Sequence, residues 1–235
     1  MSGSSGFSDD DARRVIERYD RRLAELGPTP EALGWTKNRH TLRYAVLLDH
    51  WRLDADAVLD VGCGFGDMYA YCSERFPAVH YEGIDVNPSL IAVGRTRYPS
   101  ATLREGNPFR DGLSGQWDVI VASGLFNLKV TDNWTFIRDA FDLFSRHARK
   151  GFAVNFLSNR VDYELEDTYH ADPPRVLELA YSISNRVTLR NDYMPFEFTV
   201  YVDVRRGFDR TSVVYPDYMS HVKQVEDQTG APGAC

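Results

Sequence analysis

The sequence predicts an α/β fold built on a mostly parallel sheet with crossover helices, and three observations carry that expectation. From Ala55 onward, short apolar runs of strand length alternate with stretches of helical periodicity. A glycine-rich loop joins the first of these runs directly to a helical stretch. The last two runs are separated by a connection short enough for an antiparallel hairpin. At 235 residues the chain suits one domain with a modest elaboration, and a chain of this size buries roughly 70–75% of its unfolded surface.

Residues 1 to 7 read as a flexible leader. The first helix starts at Ser8 or Asp9, where a short polar side chain caps and acids crowd the first turn, and it stops at Gly27-Pro28. Its stripe of Val15, Ile16, Tyr19, Leu23 and Leu26 requires a packing partner. A second helix is expected from about Thr36 to Trp51, with Tyr44, Leu47, Leu48 and Trp51 on one face. Residues 8 to 54 thus form an N-terminal helical extension. The core, residues 55 to 205, opens with the strand AVLDV at 57 to 61 and the helical run GDMYAYCSERF. YEGIDV is the second strand, and Asn87-Pro88 then caps and starts a helix. ATLREG is the third strand and WDVIVAS, at 117 to 123, the fourth. Trp134, Ile137, Ala140, Phe141 and Phe144 mark a helix that Gly151 is expected to stop, before FAVNFLS as the fifth strand. An insertion covers 158 to 183: a polar, aromatic loop, then a short helix from about Pro174 to Ser182. In RVTLRNDY, Val187 and Leu189 point inward; in FEFTVYVDV, Phe196, Phe198, Val200, Val202 and Val204 do. Residues 206 to 235 read as a tail.

Composition narrows the function. With 34 Asp+Glu against 27 Lys+Arg the net charge is −7, which disfavours phosphate-driven nucleic-acid binding. No stretch approaches the ~18–20 apolar residues of a membrane helix and the start lacks the regions of a signal peptide, so a cytoplasmic location is expected. Cys63, Cys72 and Cys235 include no CxxC pair and encode neither a disulfide framework nor a zinc cluster; Cys63 is expected to be a small buried filler. No metal is expected.

The first strand runs into Asp60-Val61-Gly62-Cys63-Gly64-Phe65-Gly66-Asp67, where glycines let the backbone turn tightly and approach a ligand. Asp85 closes the next strand 19 residues beyond the last glycine, where an acid can grip ribose hydroxyls. The spacing is GxGxG, whereas the dinucleotide fingerprint is GxGxxG, so a nucleoside without a pyrophosphate is expected and a nicotinamide oxidoreductase is disfavoured.

With VLDVGCGFGD, YEGIDVNPSLI, LREGNPF and WDVIVASGLFNL in that order, the chain resembles the class I S-adenosylmethionine-dependent methyltransferases from about residue 55 to 204. Its general layout is most similar to the small-molecule enzymes related to trans-aconitate methyltransferase. The resemblance implies a Rossmann-like seven-stranded sheet of order 3-2-1-4-5-7-6 with strand 7 antiparallel, and S-adenosylmethionine lying over the ends of strands 1, 2 and 4. It implies that Asp60 contacts the methionine amine, that Gly62, Cys63 and Gly64 line methionine and ribose, and that Asp85 binds the ribose diol beside Val86. Asn107 falls where the family often has Asp, and is expected to accept from the adenine amine through its side-chain oxygen. Pro108 and Phe109 pack by adenine, and residues 122 to 125, Ser123 and Gly124 among them, lie beneath the sulfonium.

Methyl transfer is an in-line displacement that the protein aligns and shields from water. A hydroxyl acceptor usually needs a base, a carboxylate a cationic clamp, and an amine need only be unprotonated. Groups from the N-terminal helices, the end of the fourth strand and the insertion face the mouth. Of six histidines, His170 and His40 remain once those on patterns away from it, and His221 in the tail, are set aside; with Tyr169 they are the candidate catalytic groups. Arg39 and Arg160 are candidate anion clamps. Asn127 and Asn155, with Asn159, are placed to orient an acceptor, and Trp35, Tyr163 and Tyr193, with Phe196, to wall it. The N-terminal helices and the insertion are expected to act as a lid, which suits a small-molecule acceptor transferring at oxygen or nitrogen better than a protein or RNA. No membrane partner is expected, and the chain is read as a monomer or homodimer. An RNA methyltransferase, or a non-catalytic subunit that keeps the fold and binds the cofactor, are the competing readings.

Overall fold

The computed structural model describes residues 6–35, 39–207, 210–211 and 213–222. The chain divides after Val204. In the second unit a short 3₁₀ helix, Pro216–Tyr218, accompanies an Arg205–Asp217 ion pair at 2.8 Å.

Helix α1 (Asp9–Leu26) is capped as expected: the Ser8 side chain accepts from the Asp11 N–H, and Asp11 accepts in return from the Ser8 N–H. A 3₁₀ turn at Pro30–Leu33 precedes α2 (Arg39–Asp49), so the described part of the second helix begins at Arg39; Thr36, Lys37 and Asn38 lie outside the described residues. The strands are β1 (Ala57–Val61), β2 (His80–Asp85), β3 (Thr102–Glu105), β4 (Trp117–Ala122), β5 (Ala148–Leu157), β6 (Arg186–Arg190) and β7 (Glu197–Asp203). Between them lie α3 (Met68–Arg75), α4 (Pro88–Arg97), a single turn α5 (Pro108–Asp111), α6 (Asn133–His147) and α7 (Pro173–Ile183).

These strands form one sheet of order β3-β2-β1-β4-β5-β7-β6, parallel from β3 through β5, with β7 antiparallel to both of its neighbours. The order reverses between β1 and β4, which opens a crevice at their carboxyl ends.

Both faces of the sheet are covered, which is why its central strands are apolar throughout rather than alternating. On one face Leu59, Ile120, Phe152 and Phe198 pack against Phe136, Ile137, Phe141 and Phe144 of α6. On the other, Val58, Val119, Val121 and Tyr201 meet Tyr44, Leu47 and Leu48 of α2 and Met68 and Cys72 of α3. Leu47 and Leu48 have no exposed surface, and burial of this kind contributes about 1.5–3 kcal/mol per side chain.

One local expectation is corrected, and another is met. Gly151 does not stop α6; the helix ends at His147, and Gly151 lies inside β5 with the Trp51 ring and the β7 backbone pressed against it. The apolar stripe of α1 finds the packing partner it requires: Val15 packs against the core on the α6 side of the sheet, and Tyr19 and Leu23 pack against Ala32, Phe65 and Leu90, while Val15 and Tyr19 also line a cavity.

Candidate active site

At the crevice the chain leaves β1 through Gly62 and Gly64, whose φ angles of 76° and 56° are left-handed and strained for a side chain. The loop folds back on β2: the Gly62 and Cys63 N–H groups donate to the Ile84 carbonyl at 2.8 and 3.2 Å, and the Gly64 N–H donates to Asp85 Oδ2 at 2.8 Å. Asp85 Oδ1 accepts from the Asn87 N–H at 2.9 Å. Burial raises the Asp85 carboxyl above its ordinary range while the backbone N–H groups of Asn87, Gly64 and Val86 pull it back. Asp85 therefore fixes the loop as well as facing the crevice.

The crevice holds a cavity of about 460 Å³. Asp60, Gly62, Cys63, Gly64, Asp85 and Val86 line it from β1 and β2, Pro108 and Phe109 from α5, and Ser123 and Gly124 from the loop after β4. Asp60 is buried, accepts from the Tyr81 hydroxyl at 2.9 Å through Oδ2, and leaves Oδ1 without a partner. Burial pushes its carboxyl up to about 7, helped by Asp85 and Asp67 and opposed by the Tyr81 hydrogen bond. Ser123 Oγ and Asn127 Oδ1 also lack partners. Unpartnered buried polar atoms converging on a cavity are groups that a ligand would satisfy. Burial also pushes the Cys63 thiol up, so it is no ready nucleophile.

The other half of the cavity is lined by Trp35, Arg39, Asn127, Tyr163 and His170, all expected at the acceptor end. His170 Nδ1 donates to the Ser158 carbonyl at 2.8 Å, which leaves Nε2 as an acceptor, 3.2 Å from the Thr168 hydroxyl. Arg39 makes no hydrogen bond or ion pair among the described residues. Arg18 of α1 and Asp167 of the insertion pair at 2.7 Å and join two covering segments.

Of the expected residues, Asn107, His40, Tyr169, Tyr193, Arg160, Asn155 and Asn159 do not line this cavity, and Asn159 lies with Arg160 at a separate pocket. Asn107 is buried and caps α5, accepting from the Phe109 N–H at 3.1 Å through Oδ1. The oxygen expected to serve adenine is thus engaged, and only Nδ2 is left unpartnered. His40 packs edge-on against Tyr44, and burial lowers its imidazole pKa. Tyr169 packs against the core beside α6, and Tyr193 hydrogen-bonds the Thr199 hydroxyl. Arg160 pairs with Asp172 at 3.0 Å and lines a separate shallow pocket. Asn155 lies beneath the site, accepting from the Gly124 N–H at 2.7 Å.

Sequence reasoning missed Phe7, Tyr19, Arg43 and Glu197, which all line the cavity. For Arg43 a signal existed, since it stands one helical turn before Leu47 at the edge of the apolar stripe; for Glu197 the alternation of the last strand offered none.

The sequence matches a family described as a methyltransferase domain over residues 58–151. It is 30% identical over 161 residues to a Mycobacterium tuberculosis protein named "Putative methyltransferase Rv1506c", covering 63% of this chain and 93% of that one. The chain belongs to the class I S-adenosylmethionine-dependent methyltransferases. Trans-aconitate 2-methyltransferase of Escherichia coli matches this methyltransferase at 29% identity over 91 residues, 39% of the chain and 33% of that protein. Among solved structures, a TehB-like S-adenosylmethionine-dependent methyltransferase of Corynebacterium glutamicum superposes with TM-score 0.53 at 22% identity, covering 85% of this chain and all of that one. Magnesium protoporphyrin IX methyltransferase of Synechocystis, solved with bound S-adenosylhomocysteine, gives TM-score 0.61 at 12% identity over 83% of this chain and 100% of that one. Both show the fold. S-adenosylmethionine is accordingly the methyl donor of this methyltransferase, and among the described residues no helix is long and apolar enough to cross a membrane.

Proposed function

We propose that this methyltransferase methylates an oxygen or nitrogen of a small molecule, a hydroxyl for preference, with His170 as the base. The observation that carries this reading is the imidazole itself, which lines the cavity with Nδ1–H committed to a carbonyl and Nε2 able to accept a proton. When bound, S-adenosylmethionine supplies an electrophilic methyl on its sulfonium. Asp60 Oδ1 would take the amine of its methionine part and Asp85 its ribose diol, while Val86, Pro108 and Phe109 would flank the adenine. Trp35 and Tyr163 would wall the acceptor, and Arg39, with no counter-ion among the described residues, suits an anionic group on it. The Arg18–Asp167 pair supports a lid made of the N-terminal helices and the insertion, an enclosure for small molecules that excludes competing water. Screening candidate hydroxyl, amine and carboxylate compounds with radiolabelled S-adenosylmethionine tests the reading; methylation confined to RNA or protein would overturn it.

Asp85→Ala is expected to weaken S-adenosylhomocysteine binding by about 10–100-fold, since losing charged hydrogen bonds costs about 1.5–3 kcal/mol. Calorimetry checks this, and an unchanged dissociation constant would remove Asp85 from the nucleoside site.

A pH dependence follows from Asp60. The folded carboxyl keeps its proton up to about pH 7, against an ordinary value of 3.8. Its contribution to stability is therefore complete below the ordinary value and is lost as the pH rises through 7. A ligand ammonium requires the ionised carboxylate. Affinity for S-adenosylhomocysteine should thus rise by about tenfold per pH unit toward pH 7 and level off above, with a proton released on binding below it. Calorimetry in buffers of different ionisation enthalpy reads that proton, and Asp60→Asn should abolish its release.

A further inference from the structure

Five residues from five segments form a closed circuit of contacts around the acceptor end of the cavity. The Gly124 N–H, in the loop after β4, donates to Asn155 Oδ1 of β5 at 2.7 Å. Asn155 Nδ2 donates to Glu197 Oε2 of β7 at 3.4 Å. The Glu197 carboxylate accepts from Arg43 of α2, whose Nε lies 2.8 and 2.9 Å from its two oxygens and whose Nη2 also bonds Oε1. The Arg43 guanidinium stacks on the Trp35 ring, 4.6 Å from its centroid. The circuit closes because that ring presses back on Gly124, where a Cβ would lie only 2.6 Å from it and where φ is 73°.

The placement of this circuit is unusual for structural cement. Arg43 and Glu197 are both buried, yet both line the cavity. A buried ion pair of this kind is an expensive way to hold a fold, because apolar residues of similar volume do as well or better. What apolar residues lack is direction: the bidentate fork fixes the guanidinium plane, and that plane fixes the indole stacked on it. Gly124 belongs to the loop that the family resemblance implies beneath the sulfonium, and Trp35 to the wall that the proposed function puts around the acceptor.

We infer that Glu197 is a positioning residue for methyl transfer, acting through Asn155 on the donor-side loop and through Arg43 on the Trp35 wall, so that filling the donor site orders the acceptor site. This rests on the reading of the cavity given above. Donor binding and acceptor-site ordering thereby become one linked equilibrium, in which a ligand shifts the second only through contacts that differ between the ordered and loosened states.

The probe is S-adenosylhomocysteine, and the readouts are its dissociation constant by calorimetry and amide hydrogen exchange across residues 39–49. In the unaltered protein, binding should slow exchange in this segment by about tenfold or more. The double variant Arg43→Met with Glu197→Leu keeps an apolar pair in the same volume and so keeps the fold. It should bind the probe within about threefold of the unaltered protein, a difference of about 0.7 kcal/mol, while losing the slowing. Asn155→Ala, which leaves the ion pair and the Trp35 stack intact, should lose part of it. Retention of the full slowing in the double variant would overturn the inference and leave the functional reading standing. Failure of the unaltered protein to bind the probe would overturn both.

Discussion

Replacing His170 with alanine is expected to lower turnover by about 10²–10⁴-fold, the range a positioned general base contributes, while leaving cofactor affinity unchanged. The expectation rests on geometry. The ring is held from both sides, by the Ser158 carbonyl at Nδ1 and the Thr168 hydroxyl near Nε2, so its unprotonated nitrogen has a defined direction at the cavity wall. Thr168 also approaches the Leu165 carbonyl at 3.1 Å, so its hydroxyl can turn away from Nε2 when an acceptor needs that lone pair. Turnover is measured on an acceptor recovered from the radiolabel screen, with S-adenosylhomocysteine affinity as the control. A loss confined to turnover fits a base. Near-unaltered turnover would take His170 out of the chemistry and leave an acceptor, such as an amine or carboxylate, that needs only alignment.

Glu197→Ala should destabilise the fold by about 3–5 kcal/mol, because it strands the Arg43 guanidinium without a counter-charge in a buried position. Against a typical total of about 5–15 kcal/mol, such a loss leaves a marginal protein. Urea denaturation reads it as a lower midpoint at unchanged slope. Pairing the loss with Arg43→Met should restore most of the stability, since the cost lies in the unpaired charge. If the single variant were as stable as the unaltered protein, the pair would have to be solvated, and the cavity wall would be open where the structure closes it.

The sheet was legible in the sequence because its signals are local and agree with one another. β1, β4 and much of β5 are short apolar runs next to helical stretches, and the terminal hairpin was marked by the brief connection between its strands. The β1–β2 side of the cavity was legible for the same reason: Asp60, Gly62, Gly64 and Asp85 lie within about one strand–loop–helix–strand unit, where spacing alone brings them together. Asn107 shows the limit even there. The motif places it after the third strand, but whether its oxygen faces a ligand or caps its own short helix depends on a backbone turn that the sequence left open.

The acceptor side was half legible. His170, Tyr163, Trp35 and Arg39 were placed at the mouth by topology, and they do line the cavity. His40 was not brought in, although it neighbours Arg39, because consecutive helical positions project about 100° apart. Arg43 escaped notice because an arginine beside the apolar stripe of a helix reads as its solvated edge. Glu197 escaped because the alternation of the last strand assigned its face to water.

What the sequence by itself determined is the order of elements, the glycine loop with its carboxylates, and through these the fold and the β1–β2 side of the cavity. What only the tertiary structure decided is the opposite wall of that cavity. Arg43 and Glu197 are 154 positions apart, and Glu197 and Asn155 are 42 apart. No periodicity spans such distances. Only when α2 lies across the face of β7 and β5 do three polar residues, each ordinary in its own segment, lose their water and become one another's partners, and burial converts that pairing into direction.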